Sequence, residues 1–471
     1  MPFNTYTFII FFIVVLAGYY SLNNWRHQKT LLLVSSYLFY SAWNPAFVLL
    51  LYFSTVVDWY LAKRIESSIN IRSRRLYLVL SLVVNLGLLG YFKYGEFLLN
   101  NSIYIFSMFG IEFQPLDLDI ILPVGISFYT FQTLSYTLDV YRNKIKTEPS
   151  FLNYAMYVSF FPQLVAGPIV RAGDFLPQCN VPRRANSDQF GWGLSLIVIG
   201  LFMKIIMADT IFAPVVDQVY SNPAHAGRIE TWAAIFAFSG QIFCDFSGYS
   251  TCAIGIALCF GFILPDNFNV PYAAIGFRDF WHRWHMSLSS WLRDYLYISL
   301  GGNRISVIRT YINVMITMLI GGLWHGASWL FVIWGGLHGI YLVIENLIKR
   351  NFKGITEISA VTQVLIILLT YLIVSITWIF FRAQNLDEVR LIFSSLFGNN
   401  NTGILTIHDF NIVLIASFMI LAWQIFRRNI TLEDIFSRLP FLLRSAVLFS
   451  MLLTIYLFAG GDDRAFIYFQ F

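Results

Sequence analysis

The sequence predicts an all-α protein that crosses a membrane many times. Charged residues occupy 12% of the 471 positions, about half of their share in soluble proteins, whereas hydrophobic residues occupy 57%. Apolar runs close to the ~20 residues of a spanning helix recur along the whole chain. This composition excludes a soluble globular enzyme. Because helices satisfy their own backbone groups in lipid, we predict a single integral-membrane domain over residues 1–471.

The first helices can be oriented from the basic residues at their ends. The apolar run 8–20 has neither a basic stretch before it nor a cleavage site after it, so we interpret it as a retained first helix. Basic residues cluster at 26–29 and 63–75, whereas the connection 93–119 is acidic. Since Lys and Arg favour the cytoplasmic side, we expect both basic clusters inside, with the N-terminus and the acidic connection outside.

The run 151–170 is apolar but does not have the features of a simple span. Both of its flanks are basic, and Pro162, Gly167 and Pro168 interrupt it. Proline removes a backbone donor and clashes with the preceding helical turn. We therefore predict a re-entrant or broken helix here.

The second half of the chain predicts further spans around one long connection. The run 191–207 leads outward, and the run 229–264 returns, interrupted by the polar stretch 245–250. The connection 265–308 is rich in Trp and Arg and is cytoplasmic by its charge. Later spans are predicted near 311–324, 329–348, 360–381, 411–426 and 441–458. The total is about 11–12 crossings, with no internal repeat.

Charge and cysteine spacing narrow the range of partners. The net charge of +5 comes from residues spread over short loops, so no basic patch follows a phosphate backbone and we expect no nucleic acid. The four cysteines lack Cys-x-x-Cys spacing, and no metal site or bound cofactor is predicted.

His325 is the strongest candidate for a catalytic residue. It lies where one apolar run ends and the next begins, with no Lys, Arg, Asp or Glu between 310 and 341. An imidazole at membrane depth can take a proton from a hydroxyl and return it to a leaving group. The alternative is a histidine that donates to a carbonyl inside the bundle. His338, further along, is expected to pack.

A second candidate, His285, lies in the aromatic segment 280–295. At helical spacing it joins one apolar stripe with Trp281, Trp284, Leu288, Trp291, Leu292 and Tyr295. A histidine in such a stripe is either a satisfied core residue or a functional one, and the pattern leaves both open. A metal held by His282 and His285 is rejected because no third ligand has useful spacing.

Two arginines, Arg171 and Arg304, follow glycine-containing motifs at predicted inner ends of spans. Guanidinium groups match phosphate oxygens, so both are candidates for holding the phosphates of a soluble donor. They can equally be positive-inside anchors. The sequence contains neither a phosphate-binding Gly-x-x-x-x-Gly-Lys loop nor a Gly-x-Ser-x-Gly elbow.

Two motifs resemble signatures of the membrane-bound O-acyltransferase family. They are 279–297 (DFWHRWHMSLSSWLRDYLY), continued by 300–304, and 321–326 (GGLWHG). Segments 123–129, 139–142, 166–169 and 243–250 also resemble its bacterial branch, which contains the membrane subunits of alginate and peptidoglycan O-acetylation. One departure is His282, where related sequences more often carry Arg or Asn.

The resemblance implies a ring of helices in which a cytoplasmic funnel meets an outer one, in a bacterial inner membrane. His325 corresponds to the invariant histidine of the family and His285 to a second, less strict one. Acetyl from acetyl-CoA would enter from the cytoplasm and reach a hydroxyl of an extracytoplasmic, SGNH-type or other partner protein, or of a polysaccharide. His325 would act as the base, with an acyl-histidine as the alternative.

Two other classes of function remain open at this point. A secondary transporter would also place histidines at membrane depth, but it should show repeats in matching halves. A non-catalytic scaffold of a polysaccharide-secretion complex would not need His325.

Overall fold

The computed structural model describes residues 1–112, 120–165, 167–351, 359–398, 403–458, 464 and 466–467. Within these residues the chain is built of helices, and none of them forms a strand. The prediction of an all-α protein is therefore confirmed. Residues 113–119 of the predicted outer connection and Ala166 of the motif 166–169 lie outside the described residues.

The chain divides into two compact units, of which the first comprises Met1–Leu194, Ala253–Pro265 and Gly326–Ser328. Its complete helices are α1 (Tyr6–Ser21), α2 (Trp25–Ser41), α3 (Pro45–Ser67), α4 (Ile71–Met108), α5 (Ile126–Tyr141), α6 (Phe151–Ser159), α7 (Phe161–Leu164) and α8 (Ala172–Cys179). Asparagine side chains at Asn24, Asn44 and Asn70 accept backbone N–H bonds at the starts of α2, α3 and α4. These caps define short connections between long apolar helices.

A buried carboxylate joins α3, α4 and α5 inside the first unit. Asp58 accepts hydrogen bonds from Ser81 Oγ at 2.6 Å and from Asn85 Nδ2 at 2.8 and 2.9 Å. Thr133 Oγ1 in turn donates to Asn85 Oδ1 at 3.1 Å. Such interhelical hydrogen bonds stabilise helix association where lipid offers no hydrophobic driving force.

The predicted break near Pro162 is confirmed. The helix stops at Phe160, between α6 and α7. The nine residues of α6 rise only ~13 Å, well short of the ~30 Å hydrocarbon thickness of a bilayer. The predicted start of the outer connection at Lys93 is wrong, because α4 continues through Lys93 to Met108.

The second unit comprises Ser195–Cys252, Asp266–His325 and Trp329–Phe471. The helix α9 (Ser187–Leu201) leads into it and continues as a π-helical segment, Phe202–Phe212. Its further helices are α10 (Ala213–Ser221), α11 (Arg228–Cys259, of which the part from Ala253 belongs to the first unit), α12 (Phe277–Trp281), α13 (Met286–Trp291), α14 (Val307–His325), α15 (Trp329–Asn351), α16 (Ala360–Arg382), α17 (Leu386–Phe397), α18 (Ile407–Phe426), α19 (Leu432–Arg438) and α20 (Phe441–Phe458). The five later spans predicted from the sequence correspond to α14, α15, α16, α18 and α20.

The predicted interruption at 245–250 is wrong, since α11 is continuous through it. The polar side chains find partners without breaking the helix. Asp245 Oδ1 lies 2.5 Å from Lys204 Nζ, and Asp245 Oδ2 accepts the backbone N–H of Ile467 at 2.8 Å. Lys204 Nζ also lies 2.9 Å from Asp209 Oδ1.

The segment 280–295 is also not one helix. It consists of α12, a tight turn that ends at His285, α13 and the start of a π-helical segment, Leu292–Tyr297. Six of the seven residues of the predicted stripe are nevertheless buried, and Trp281 is partly buried. The turn changes the direction of the chain but leaves the aromatic side chains buried. The predicted burial is therefore correct, although the predicted single helix is not.

Among the described residues, nine helices are long and apolar enough to cross a membrane. They are α3, α4, the run α9–α10, α11, α14, α15, α16, α18 and α20. The helices α1, α2 and α5 are shorter, with 16, 17 and 16 residues. The predicted number of about 11–12 crossings is reached only with these shorter helices included. The protein is a multi-pass membrane protein.

Candidate active site

His325 is the last residue of α14 and is 2% exposed. Three aromatic rings surround its imidazole. The ring centroids of Trp334, Trp324 and Phe381 lie 5.0, 5.2 and 5.4 Å away. Water has little access to a group enclosed in this way, and electrostatic interactions there are stronger than in bulk solvent.

His285 lies in the turn between α12 and α13 and is fully buried. Its ring centroid is 6.2 Å from that of His325 and 4.6 Å from that of Phe246, whose ring is nearly perpendicular to it. Burial lowers the pKa of His285, so the imidazole is neutral. The structure thus brings the two sequence-predicted histidines together from separate motifs.

The backbone of His285 is left-handed, with φ of 42°. This conformation is costly for a residue with a side chain, and it persists only where the surroundings hold it. Asn267 does so: its carbonyl accepts the N–H of Met286 at 2.9 Å, and its side-chain oxygen lies 3.0 Å from His285 Nδ1. The ordered turn therefore depends on a residue that lies 18 positions earlier in the chain.

His338 on α15 lies in the same aromatic cluster but not beside His285. It is fully buried, and its Nε2 lies 3.2 Å from Thr377 Oγ1. Its ring packs against Trp334 at 4.8 Å and Phe280 at 5.9 Å. These contacts agree with the packing role expected for it.

The two candidate arginines belong to different units. Arg171 precedes α8 as its N-cap residue and is partly exposed. Arg304 is exposed and follows Gly301 and Gly302, whose φ angles of 102° and 57° form a glycine turn. His282 is exposed beside the site, so its departure from the family pattern leaves the buried histidines untouched.

Residues 89–382, more than half of the chain, match the sequence profile of the membrane-bound O-acyltransferase family. The chain belongs to this family. His285, His325, Arg171, Arg304 and Asn267 all lie within the matched range.

The acyltransferase is similar to several characterised or named bacterial proteins. A Pseudomonas aeruginosa protein named "Probable alginate O-acetylase AlgI" is 40% identical over 84% of this chain and 75% of its own length. The "Peptidoglycan O-acetyltransferase" of Helicobacter pylori is 37% identical over 85% of this chain and 81% of its own length. The "Teichoic acid D-alanyltransferase" of Streptococcus thermophilus is 29% identical over 50% of this chain and 59% of its own length.

Sequence reasoning missed two parts of the acyltransferase structure around the site. Asn267 gives no local signal, because its partner His285 becomes its neighbour only after the turn forms. Lys204 does give a signal: it is the only Lys or Arg between Arg184 and Arg228, in an apolar run. A charge at that depth indicates a partner within the protein, and Asp245 and Asp209 supply it.

Proposed function

We propose that this acyltransferase moves an acetyl group from cytoplasmic acetyl-CoA across the bacterial inner membrane. The acceptor is a hydroxyl of an extracytoplasmic partner protein or of an exported polysaccharide of the alginate or peptidoglycan class. The names of the relatives at 37–40% identity support this acceptor class. The observation that carries the proposal is the 6.2 Å separation of the His285 and His325 rings inside a buried aromatic enclosure.

The proposed reaction uses His325 as the general base. Its imidazole takes the proton of the acceptor hydroxyl while the hydroxyl oxygen attacks the thioester carbonyl carbon. A C–O bond forms and the C–S bond breaks. The thiolate then receives the proton from the His325 imidazolium, which releases CoA as a thiol and restores the base. His285 provides the second imidazole beside the reacting atoms.

An acyl-histidine is the alternative for the same site. In that case an imidazole nitrogen of His325 attacks the thioester carbonyl and the C–S bond breaks to release CoA thiolate. In a second step the acceptor oxygen attacks the acetyl carbon, the N–C bond to His325 breaks, and the hydroxyl proton neutralises the released charge. Both routes give the same products and need the same enclosure, which excludes hydrolytic water.

The donor is proposed to bind from the cytoplasmic side. Arg171 and Arg304 would hold its phosphates through charge-assisted hydrogen bonds, which match guanidinium geometry. The acceptor approaches from the other face, in keeping with an N-terminus outside.

The proposal predicts that His325→Ala abolishes most transfer without unfolding the protein. Loss of a general base lowers the rate by roughly 10²–10⁴-fold, and loss of a nucleophile lowers it further. We expect a moderate loss of thermal stability, because the change removes a buried imidazole packed by three aromatic rings, and transfer is therefore compared per folded molecule. The measurement is acetyl transfer per folded molecule in proteoliposomes, with thermal unfolding recorded on the same sample.

His338→Ala is the matched control, since it removes an equally buried imidazole from the same aromatic cluster. It should retain most of the transfer per folded molecule. A stable His325→Ala protein with wild-type turnover would contradict the proposed mechanism.

A further inference from the structure

Asn267 has hydrogen bonds on both sides of its side-chain amide and is 1% exposed. Its Oδ1 accepts from Ser287 Oγ at 2.8 Å and from the Ser287 backbone N–H at 3.3 Å, and it lies 3.0 Å from His285 Nδ1. Its Nδ2 donates to Ser250 Oγ of α11 at 3.1 Å. The amide therefore links α11 to the turn that carries His285.

The orientation of this amide follows from one obligate donor. The backbone N–H of Ser287 can only donate, so the amide atom that faces it must be the oxygen. The same oxygen faces His285 Nδ1. An oxygen of this kind only accepts, and Nδ1 must therefore carry the proton. In a neutral imidazole the lone pair is then on Nε2.

The ring of His285 is also held against rotation. The Phe246 ring lies nearly perpendicular to it with the centroids 4.6 Å apart, and the centroid of the Trp324 ring lies 5.7 Å away. The main chain of Asn267 fixes the left-handed backbone below it through the N–H of Met286. Side chain and main chain of one residue thus determine both the tautomer and the direction of the imidazole.

We infer that Asn267 is a positioning residue for acyl transfer: it keeps His285 in the Nδ1–H tautomer, so that Nε2 accepts a hydrogen bond from the acceptor hydroxyl and orients it. This inference rests on the proposed function for the identity of the reacting group. It gives His285 a role distinct from that of His325, which removes the proton. It also gives Ser250, at the end of the polar stretch of α11, a hydrogen-bond partner.

The first test reads the tautomer directly and needs no activity. Protein labelled with ¹⁵N-histidine is reconstituted in lipid, and solid-state NMR distinguishes protonated Nδ1 from protonated Nε2, with His285→Gln providing the assignment. Wild-type protein should show protonated Nδ1 at His285. Asn267→Ala should lose this preference, whereas Asn267→Asp, which keeps an acceptor oxygen in the same place, should retain it.

The matched control is Asn269→Ala. Asn269 is exposed and lies two positions further along the same segment, so this variant should leave the tautomer and the transfer rate unchanged. If Asn267→Ala does not fold, Asn267→Leu fills a similar volume without an acceptor and replaces it. An unchanged Nδ1–H signal in the folded Ala or Leu variant would overturn the inference.

The second test asks whether Asn267 acts through His285. Asn267→Ala should lower transfer per folded molecule by about tenfold or more, and Asn267→Asp should recover part of it. In the His285→Ala background, Asn267→Ala should cause no further loss, since residues that act as a unit are not additive. Additive losses would contradict the inference.

Together, the two tests distinguish a failure of the proposed function from a failure of the role inferred for Asn267. If the wild-type protein transfers no acetyl group but the tautomer changes in Asn267→Ala, Asn267 still fixes the tautomer of His285, and it is the proposed function that fails. If transfer is normal and the tautomer does not respond, the positioning role alone fails.

Discussion

The candidate histidines and the candidate arginines of this protein differ in their exposure. His285 and His325 lie among aromatic rings, where a neutral base keeps its lone pair away from water. Arg304 is exposed and Arg171 is partly exposed, as expected for residues that meet a soluble donor. Under the proposed function, the buried histidines would carry the proton transfer and the two arginines would recognise the charged donor.

The phosphate-binding role predicts a specific kinetic change. Arg171→Gln and Arg304→Gln should each raise the apparent KM for acetyl-CoA several-fold or more, because a hydrogen bond to a charged group contributes about 1.5–3 kcal/mol. The maximal rate should change little. Initial rates over a range of donor concentrations measure this.

Arg309→Gln serves as the control, since Arg309 is also exposed and lies near Arg304 at the start of α14. It should leave the KM unchanged. An unchanged KM in both test variants would contradict the phosphate-binding role and leave Arg171 and Arg304 as positive-inside anchors.

The sequence was sufficient to name His325 and His285 as candidate site residues, which the structure brings together, but it did not name Asn267. The histidines stand out because titratable groups are rare in apolar surroundings and because both lie in recognisable motifs. Asn267 is one of several asparagines near a turn, and its function depends on a three-dimensional contact with a residue 18 positions away. Periodicity cannot reveal a contact of this kind.

At the scale of elements, the hairpin of α14 and α15 depends on two glycines. A Cβ at Gly322 would overlap the carbonyl oxygen of Phe331, and a Cβ at Gly335 would overlap that of Met318. Small residues allow such close backbone approach between membrane helices. The approach brings the end of α14, with His325, against Trp334 on α15.

Gly322→Ala and Gly335→Ala should therefore destabilise the protein. Overpacking costs about 1–3 kcal/mol, and the gain in helix propensity offsets at most about 1 kcal/mol of it. Gly336→Ala is the matched control, because the nearest atom to its Cβ would be Leu319 Cδ2 at an ordinary 3.4 Å. Thermal unfolding followed by tryptophan fluorescence compares the three. Equal melting temperatures would rule out a close-packed hairpin.

Long apolar helices were predictable, whereas the short ones were not. α14, α15 and α16 agree with the predicted spans to within a few residues. The helical periodicity of 280–295 predicted one helix where the structure has α12 and α13. The two are separated by a left-handed turn at His285, which keeps the aromatic residues buried. α17 was missed, since its 12 residues are too short to give a membrane-span signal.

For the whole molecule, orientation in the membrane is the property that loop charge predicts. The clusters 63–75 and 265–308 should face the cytoplasm, and the N-terminus should lie outside, because Lys and Arg favour the inner side. The ring of helices around a central funnel likewise stays a prediction from the family resemblance.

Single cysteines test this orientation. Ile69→Cys and Asn303→Cys should resist an impermeant thiol reagent in intact cells, whereas Pro2→Cys should react. All three positions are exposed, and Ile69 is preferred to Asn70, whose side chain caps α4. Permeabilised cells, in which all three should react, provide the control. Labelling of position 69 or 303 from outside would contradict the orientation.

The burial of all four cysteines has a chemical consequence, because transfer from the proposed thioester donor would release a thiol. Thiol–disulfide exchange requires a thiolate that can be reached. Burial raises the pKa of the Cys179 thiol to about 12, so it is almost entirely protonated at neutral pH. We expect neither free CoA nor oxidants in the outer compartment to form mixed disulfides with the folded protein. In the proposed inner-membrane location, between a reducing and an oxidising compartment, none of these cysteines would then be a redox-sensitive group.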